Sequence, residues 1–275
     1  MAAYPLQTAS FGTQSWNWLD SRQGQTILIL LPGFMGEAET SFLFMQALAR
    51  HLRVISISYP PSIGRVDDLC DGLCALMDHL GLENAIFLGG SSSGFVAQAF
   101  VRRHASRTSG LILTHTGLPS PARARTARIY LGLLRSLPFN LLHWLMQFFI
   151  YSYFPRSTPT HTFWRAHFRE IIRRQTLLAL RNRFALMNDF HSAYRFQPGD
   201  LAGWPGKILI MEMRHDHLTT PFEQQTMREL YPGARVHVFS ETAHYDSVEQ
   251  PEQQIRVIMD FLIAEFIPFS STRHP

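Results

Sequence analysis

The stretch "NAIFLGGSSSGFVAQAF" (84–100) runs from an apolar segment through two glycines and three serines into a second apolar segment. Its first part is typical of a buried strand, and "SGFVAQAFVRRHAS" (93–106) has the apolar spacing of a helix. A serine in a tight turn between a strand and a helix forms a nucleophile elbow, in which the hydroxyl is exposed for attack. The stretch therefore predicts a reactive serine, and the alternative is a flexible Gly/Ser loop.

The size of the neighbouring residues selects one of the three serines. In an elbow, the positions two before and two after the nucleophile must be very small, because larger side chains would collide in the turn. For Ser92 both positions are glycines, Gly90 and Gly94, whereas for Ser91 one of the two is Ser93. The sequence thus predicts Ser92 as the nucleophile and leaves Ser91 as the second choice.

Strands alternate with helices on both sides of the elbow. Apolar runs predict strands over 15–21, 25–33, 53–60, 84–90, 110–116, 206–213 and 234–241, and helical spacing predicts helices over 39–52, 66–82, 93–106, 221–230 and 251–266. Alternation of this kind is typical of a mostly parallel, twisted sheet that helices cover on both faces, with 15–21 as an antiparallel edge strand. The predicted fold class is α/β.

One long segment interrupts the alternation. Residues 118–200 are helical, aromatic and rich in arginine, and the strand pattern resumes only after them. We expect an α/β core formed by 1–117 and 201–275, with 118–200 as a helical cap inserted after strand 6. The cap would lie over the carboxyl ends of the strands, where open α/β sheets place their sites.

Charge is distributed unevenly between the expected cap and the core. The chain of 275 residues has a net charge of +4, yet 118–200 contains 12 arginines and three acidic residues, which leaves −5 for the rest. Within the cap, "FNLLHWLMQFFIYSYF" (139–154) has no charged residue and is too short for a comfortable membrane span. We expect these apolar side chains to line a pocket for a hydrophobic acyl group, and the arginines to bind an anionic lipid surface or an acyl carrier. The alternative is that the segment is a buried cap helix and that the arginines are solvated. Nucleic acid is not expected.

A serine nucleophile needs a base and a group that orients the base. Asp216, in the loop after the strand 206–213, is the predicted acid, and Asp189 is the next candidate. His244, in the loop after the last strand, is the predicted base. His215 and His217 flank the acid, but no third ligand with suitable spacing accompanies them, so neither a metal nor a cofactor is expected.

The oxyanion of an acyl-transfer reaction needs two backbone N–H donors. Ser93 follows the predicted nucleophile at a helix N-terminus, so its amide is one candidate. Phe34 follows the Pro-Gly turn that ends the strand 25–33, so its amide is the other. An ordinary strand-ending turn would also contain Pro-Gly, and this assignment therefore depends on the other parts of the site.

The cysteines and the N-terminal sequence suggest a compartment. Cys70 and Cys74 are four residues apart on a predicted helix and are expected to face a core. Two cysteines are too few to form a framework of disulfide bonds. The first residues lack the basic start and the following apolar run that are typical of a signal peptide. The expected location is the cytoplasm.

The motifs "LLPGFMG", "GGSSSG", "RHDHLTTP" and "AHYDSVEQPEQ" together resemble the α/β-hydrolase superfamily across nearly the whole chain. The resemblance implies a serine hydrolase that cleaves an ester, thioester or related acyl bond through an acyl-enzyme intermediate. The same residues would serve C–C bond hydrolysis or acyl transfer. One departure is Pro32, where many members have histidine.

A narrower resemblance covers "SYPPSIGRVDDLCDGLCALMDHLGLENAIFLGGSSSGFVAQAFV" (58–101) and "LYPGARVHVF" (230–239), which are similar to maspardin-like proteins. Members of that group resemble hydrolases but are regarded as binding proteins with an incomplete catalytic set. The resemblance implies a second possibility, a non-catalytic adaptor in which the elbow is inherited but unused. Asp216 and His244 are both present here, which favours the enzyme.

Overall fold

The structure is a computed structural model that describes residues 4–153, 161–214, 216, 218–240 and 251–267. Its centre is an eight-stranded sheet with the order β1-β2-β4-β3-β5-β6-β7-β8. The strands are β1 (Gln7–Phe11), β2 (Gln14–Asp20), β3 (Ile27–Leu31), β4 (Arg53–Ser58), β5 (Ala85–Gly90), β6 (Thr108–Thr114), β7 (Lys207–Met213) and β8 (Arg235–Phe239). The strands from β3 to β8 pair in parallel, which confirms the predicted fold class.

Helices cover both faces of this sheet. They are α1 (Phe42–Leu48), α2 (Val66–His79), α3 (Ser92–Arg103), α4 (Pro121–Ser136), α5 (Phe139–Tyr153), α6 (His161–Arg174), α7 (Leu177–Ala193), α8 (Pro221–Leu230) and α9 (Pro251–Glu265). Apolar side chains of α2, α3 and α8 pack on one face, and those of α1 and α9 pack on the other. Both faces of the central strands are therefore buried, as continuous apolar runs such as "ILILL" in β3 require.

The edge of the sheet differs from the sequence prediction. β2 was expected at the edge, but β1 precedes it and pairs with it in an antiparallel hairpin that turns at Gly12, whose φ is +59°. β2 also pairs antiparallel with β4 and is therefore an inner strand. The β1 sequence, QTASF, is mostly polar and only half-buried, and so it lacks the apolar run by which the other strands were found.

In the described part of the chain between β6 and β7 lie four helices, α4 to α7, and we call residues 118–200 the helical insertion. α7 begins after Thr176, whose side chain accepts a hydrogen bond from the Ala179 amide at 3.1 Å. It packs along α4 and reaches the core through Leu186 and Phe190.

Within the described ranges, no helix is long and apolar enough to cross a membrane. The two cysteines are free thiols: Cys70 is buried and Cys74 is half-buried.

Candidate active site

The turn between β5 and α3 holds Ser91 in an uncommon backbone conformation. Its φ is +53° and its ψ is −125°, while β5 ends at Gly90 and α3 begins at Ser92. A non-glycine residue held in such a region costs about 1–3 kcal/mol, and residues of this kind cluster at active sites. The strained residue of a nucleophile elbow is the nucleophile itself. The backbone therefore favours Ser91, one residue earlier than the sequence prediction of Ser92.

The residues two before and two after Ser91 satisfy the requirement for small side chains. A Cβ atom on Gly89 would lie 2.7 Å from the Ser93 carbonyl oxygen and 2.9 Å from the Gly94 amide nitrogen, so only glycine fits there. Ser93 is buried, and its hydroxyl donates to the Gly90 carbonyl at 2.8 Å and accepts from the Gly90 amide at 2.9 Å. A serine is tolerated at this position because the backbone of the turn provides both a hydrogen-bond donor and an acceptor for its hydroxyl.

Gly90 and Gly94, which led to the prediction of Ser92, are required by contacts with other parts of the fold. A Cβ on Gly94 would lie 2.4 Å from the hydroxyl oxygen of Thr116, which donates to the Ser91 carbonyl at 2.6 Å. A Cβ on Gly90 would lie 2.9 Å from a methyl carbon of Thr114. Both glycines therefore make room for β6 and the residues after it.

Backbone hydrogen bonds join the carboxyl ends of four strands. The Ser91 amide donates to the Thr114 carbonyl at 3.0 Å, and the amide of His115 donates to Met211 at 3.1 Å. The Arg214 amide donates to the Phe239 carbonyl at 3.0 Å. The elbow, the loop after β7 and the end of β8 thus share one edge of the sheet, which is where such folds place their sites.

Asp216 lies in the loop after β7, is buried and has a fixed carboxylate. One carboxylate oxygen, Oδ1, accepts from the amides of Leu218 at 2.7 Å and Thr219 at 3.2 Å. These bonds fix the side chain at the edge of the sheet that also holds Ser91. His244 lies outside the described residues, between β8 and α9, and its position relative to Asp216 stays a prediction.

Two other carboxylates near this edge are engaged elsewhere. Glu212, inside β7, accepts from Arg228 Nε at 3.0 Å. Asp189, the alternative acid, accepts from the Val66 amide at 2.8 Å, at the start of α2. Both carboxylates therefore already have structural partners.

Phe34 lies in a tight turn after β3, where the Gly36 amide donates to the Gly33 carbonyl at 2.9 Å. Phe34 is the second residue of this turn, a position whose own amide the turn does not use. With Ser91 as the nucleophile, the amide that follows it belongs to Ser92, the first residue of α3. The first amides of a helix have no acceptor within the helix, so this amide suits an oxyanion. In that register the Ser92 amide takes the role that the sequence prediction gave to the Ser93 amide.

The connection between α6 and α7 and the middle of α7 contact the turn at Phe34. The rings of Phe34 and Phe184 meet edge-on with centroids 4.9 Å apart, and Gln175 Nε2 donates to the Met35 carbonyl at 3.3 Å. Next to the turn, burial raises the pKa of Glu37, and the charge of Glu39 raises it further. The helical insertion therefore positions the predicted oxyanion donor.

The sequence did not identify two residues at this edge. His115 has a φ of +38°, and its Nδ1 lies 2.8 Å from the Thr114 hydroxyl. Arg183, on α7, is buried beside Ser92 and Phe34. No three His, Cys, Asp or Glu residues in the described ranges form a group that could hold a metal ion, and His215 and His217 lie outside those ranges.

A model of the family described as "Alpha/beta hydrolase family" matches residues 28–257. The chain belongs to the alpha/beta hydrolase family. Curated relatives of this alpha/beta hydrolase include maspardin from Danio rerio, which is 37% identical over 92 residues, or 32% of this chain and 29% of the relative. The chain therefore matches well under half the length of that relative. Both predicted resemblances, to alpha/beta hydrolases and to maspardins, are confirmed.

Other similarities extend over more of the chain. The 2-hydroxymuconate semialdehyde hydrolase from Pseudomonas putida is 23% identical over 205 residues, covering 68% of this chain and 65% of the relative. Among solved structures, a hydrolase from Pseudomonas aeruginosa superposes with a TM-score of 0.77 at 20% identity, covering 94% and 98% of the two chains. An esterase from Thermogutta terrifontis gives a TM-score of 0.76 at 22% identity, again covering 94% and 98%. These structures show that the alpha/beta hydrolase fold extends over nearly the whole chain.

Proposed function

We propose that the protein is a serine hydrolase that cleaves an ester, thioester or related acyl bond, with Ser91 rather than Ser92 as its nucleophile. The observation that carries the proposal is the strained backbone of Ser91 between β5 and α3. Strain of this size persists only where the surrounding structure enforces it, and in this fold it presents a hydroxyl to a substrate. Membership of the alpha/beta hydrolase family supports the same chemistry.

The proposed mechanism assigns one task to each group. Ser91 attacks the acyl carbon while His244 removes the hydroxyl proton and later gives it to the leaving group. Asp216 holds the imidazole in the required tautomer and stabilises its charged form. The amides of Phe34 and Ser92 stabilise the oxyanion. Water then hydrolyses the acyl-enzyme, and no cofactor takes part.

The principal alternative is a maspardin-like adaptor that binds a partner and has no turnover; the local similarity to maspardin supports it. C–C bond hydrolysis is a further candidate, since the Pseudomonas putida relative is named a semialdehyde hydrolase. Acyl transfer would use the same residues, with a different acceptor in place of water.

Labelling with a fluorophosphonate separates the enzyme from the adaptor. Because the reagent reacts with activated serine hydroxyls, we expect one covalent adduct per chain, mapped by peptide mass spectrometry to Ser91. Labelling should be lost in Ser91→Ala and retained in Ser92→Ala, whose backbone amide is intact. A correctly folded protein that does not label, and that turns over no ester or thioester, would be an adaptor.

A further inference from the structure

The helical insertion places a cation in the wall of the predicted active site. Arg183 is 5% exposed and lines a cavity of about 20 Å³, which holds about one water molecule. The other residues of that wall are glycine, serine or mainly apolar; they include Gly33, Phe34, Ser92 and Phe95. Of the described residues that line this cavity, Arg183 alone is charged.

The guanidinium of Arg183 is only partly satisfied. Its Nη2 donates to the Tyr59 carbonyl at 2.7 Å, whereas Nε and Nη1 are buried and have no hydrogen-bond partner among the described residues. A guanidinium carries five N–H donors in a planar fork, and buried donors without acceptors are costly. Two of its nitrogens therefore retain donor capacity that no described residue uses.

No carboxylate among the described residues forms an ion pair with Arg183. Burial lowers the pKa of the guanidinium to about 10, so it stays charged at neutral pH. The Tyr59 ring, 5.3 Å from the guanidinium carbon, and the charge of Glu37 compensate it in part. A buried cation with so little compensation favours an anion beside it.

Gly36 places this cation against the turn that carries Phe34. The φ of Gly36 is +72°, and a Cβ there would lie 2.3 Å from Arg183 Nη2, so the guanidinium occupies the space that a side chain would fill. An anion bound to Arg183 would therefore lie close to the predicted oxyanion donor.

We propose that Arg183 binds a carboxylate on the acyl portion of the substrate, so that the enzyme acts on small acyl esters or thioesters that carry a negative charge. The inference rests on the proposed function, because it needs a substrate bound next to Ser91. Met187 lines the same cavity and is flexible enough to make room for the acyl chain. The apolar wall then contacts the methylene groups of that chain.

A matched pair of substrates tests the proposal: the mono-p-nitrophenyl ester of glutarate and its neutral terminal-amide isostere. The wild type should prefer the anionic ester in kcat/KM by about 10- to 100-fold, mostly through KM. Arg183→Met should lose that preference, so that kcat/KM becomes about equal for the two esters. Arg181→Met, an exposed arginine on the same helix, is the control and should retain the preference.

Inhibition of the wild type tests the same point if Arg183→Met does not fold. Glutarate should compete with the neutral ester and slow fluorophosphonate labelling, and glutaramide should not. Equal inhibition by both compounds, or equal hydrolysis of both esters, overturns the inference and leaves the proposed function intact. Failure of the folded wild type to hydrolyse either ester or to label overturns the proposed function itself.

A different observation concerns the outer surface of the helical insertion. α5 contains no charged residue, and Trp144 and Phe148 on it are each 59% exposed, with their rings stacked 5.8 Å apart. α4 exposes Ile129, also at 59%, one turn from the exposed Arg125. Large apolar side chains exposed in this way mark an interaction site, and an arginine-rich insertion favours an anionic partner.

We infer that the exposed apolar side chains of α4 and α5 bind the surface of an anionic lipid bilayer. The insertion has a net charge of +9, from 12 arginines and three acidic residues, so a second copy of the chain would bring like charges together. Aromatic side chains with arginines beside them suit the boundary between headgroups and acyl chains. This proposal does not depend on catalysis.

Vesicle sedimentation tests the lipid proposal. The wild type should bind vesicles that contain phosphatidylglycerol, bind pure phosphatidylcholine at least about tenfold more weakly, and lose binding as salt rises. Trp144→Ser combined with Phe148→Ser should weaken binding at least about tenfold. Phe222→Ser, a 79% exposed phenylalanine on α8, should have no effect.

Three outcomes would overturn the lipid proposal. Equal binding to both vesicle types would show that charge takes no part. A dimer that the double variant dissociates would identify a second copy as the occupant. Binding to a phosphopantetheine-bearing acyl carrier without binding to vesicles would identify the carrier instead.

Discussion

Ser91→Ala should lower kcat for a p-nitrophenyl ester by about 10⁴-fold or more, because it removes the atom that attacks the acyl carbon. Ser92→Ala should cost less than about tenfold, since the group proposed to act at Ser92 is its backbone amide. The substitution at Ser91 keeps the hydrogen bonds that its backbone amide and carbonyl make with Thr114 and Thr116 in the turn. Initial rates on the purified variants, with melting temperatures as a control for folding, check the prediction.

The two alanine substitutions give opposite results depending on whether Ser91 or Ser92 is the nucleophile. A large loss in Ser92→Ala with turnover retained in Ser91→Ala would restore the sequence prediction. Equal and small losses in both variants would show that the turn has no catalytic role. Ser93→Ala separates structure from catalysis, because its hydroxyl bonds only to Gly90 among the described residues. We expect that variant to lose stability by about 1 kcal/mol and to keep most of its turnover.

The sequence predicts the layers of this fold well, because the central strands are buried on both faces and consist of uninterrupted apolar residues. β3, β4, β6 and β7 lie where those runs predict them, within a few residues at each end. β1 was missed because an edge strand can form without an uninterrupted run of apolar residues. Only alternate side chains of β1 are half-buried, and its hydrogen-bonded pairing is with β2. The antiparallel edge was thus predicted with one strand too few.

The nucleophile that we propose lies one residue before the sequence prediction for a physical reason. The requirement for small residues around the nucleophile identifies glycines and serines, but it does not show which neighbouring atoms exclude a larger side chain at each position. Gly94 is small because Thr116 contacts it, and Gly89 because the start of α3 passes over it. These contacts connect β6 and α3 across the fold, so the local sequence gives no sign of them. The positive φ that distinguishes Ser91 is likewise a property of the folded turn.

Arg183 shows a similar limit. In the sequence it is one of 12 arginines in the insertion and carries no distinguishing motif. Its burial depends on Gly36, which is distant in the chain and leaves the space that the guanidinium fills. Charge counting predicted an anionic partner for the insertion as a whole, whereas the structure separates one buried arginine from those on the surface.

Asp216→Asn should lower kcat by about 10⁴-fold while the protein stays folded, because an amide in place of the carboxylate favours the wrong tautomer of His244. The asparagine oxygen can still accept the amides of Leu218 and Thr219, so the loop should be retained and the melting temperature should change by only a few degrees.

Asp189→Asn is the matched control for this substitution. Its carboxylate accepts from the Val66 amide at the start of α2, so this variant should lose some stability and keep its turnover. Rates measured at saturating ester, together with the rate of fluorophosphonate labelling, report on Ser91 activation directly. Near-normal rates in Asp216→Asn with an inactive Asp189→Asn would assign the acid to α7. In that case the histidine would have to be oriented from the helical insertion rather than from the loop after β7.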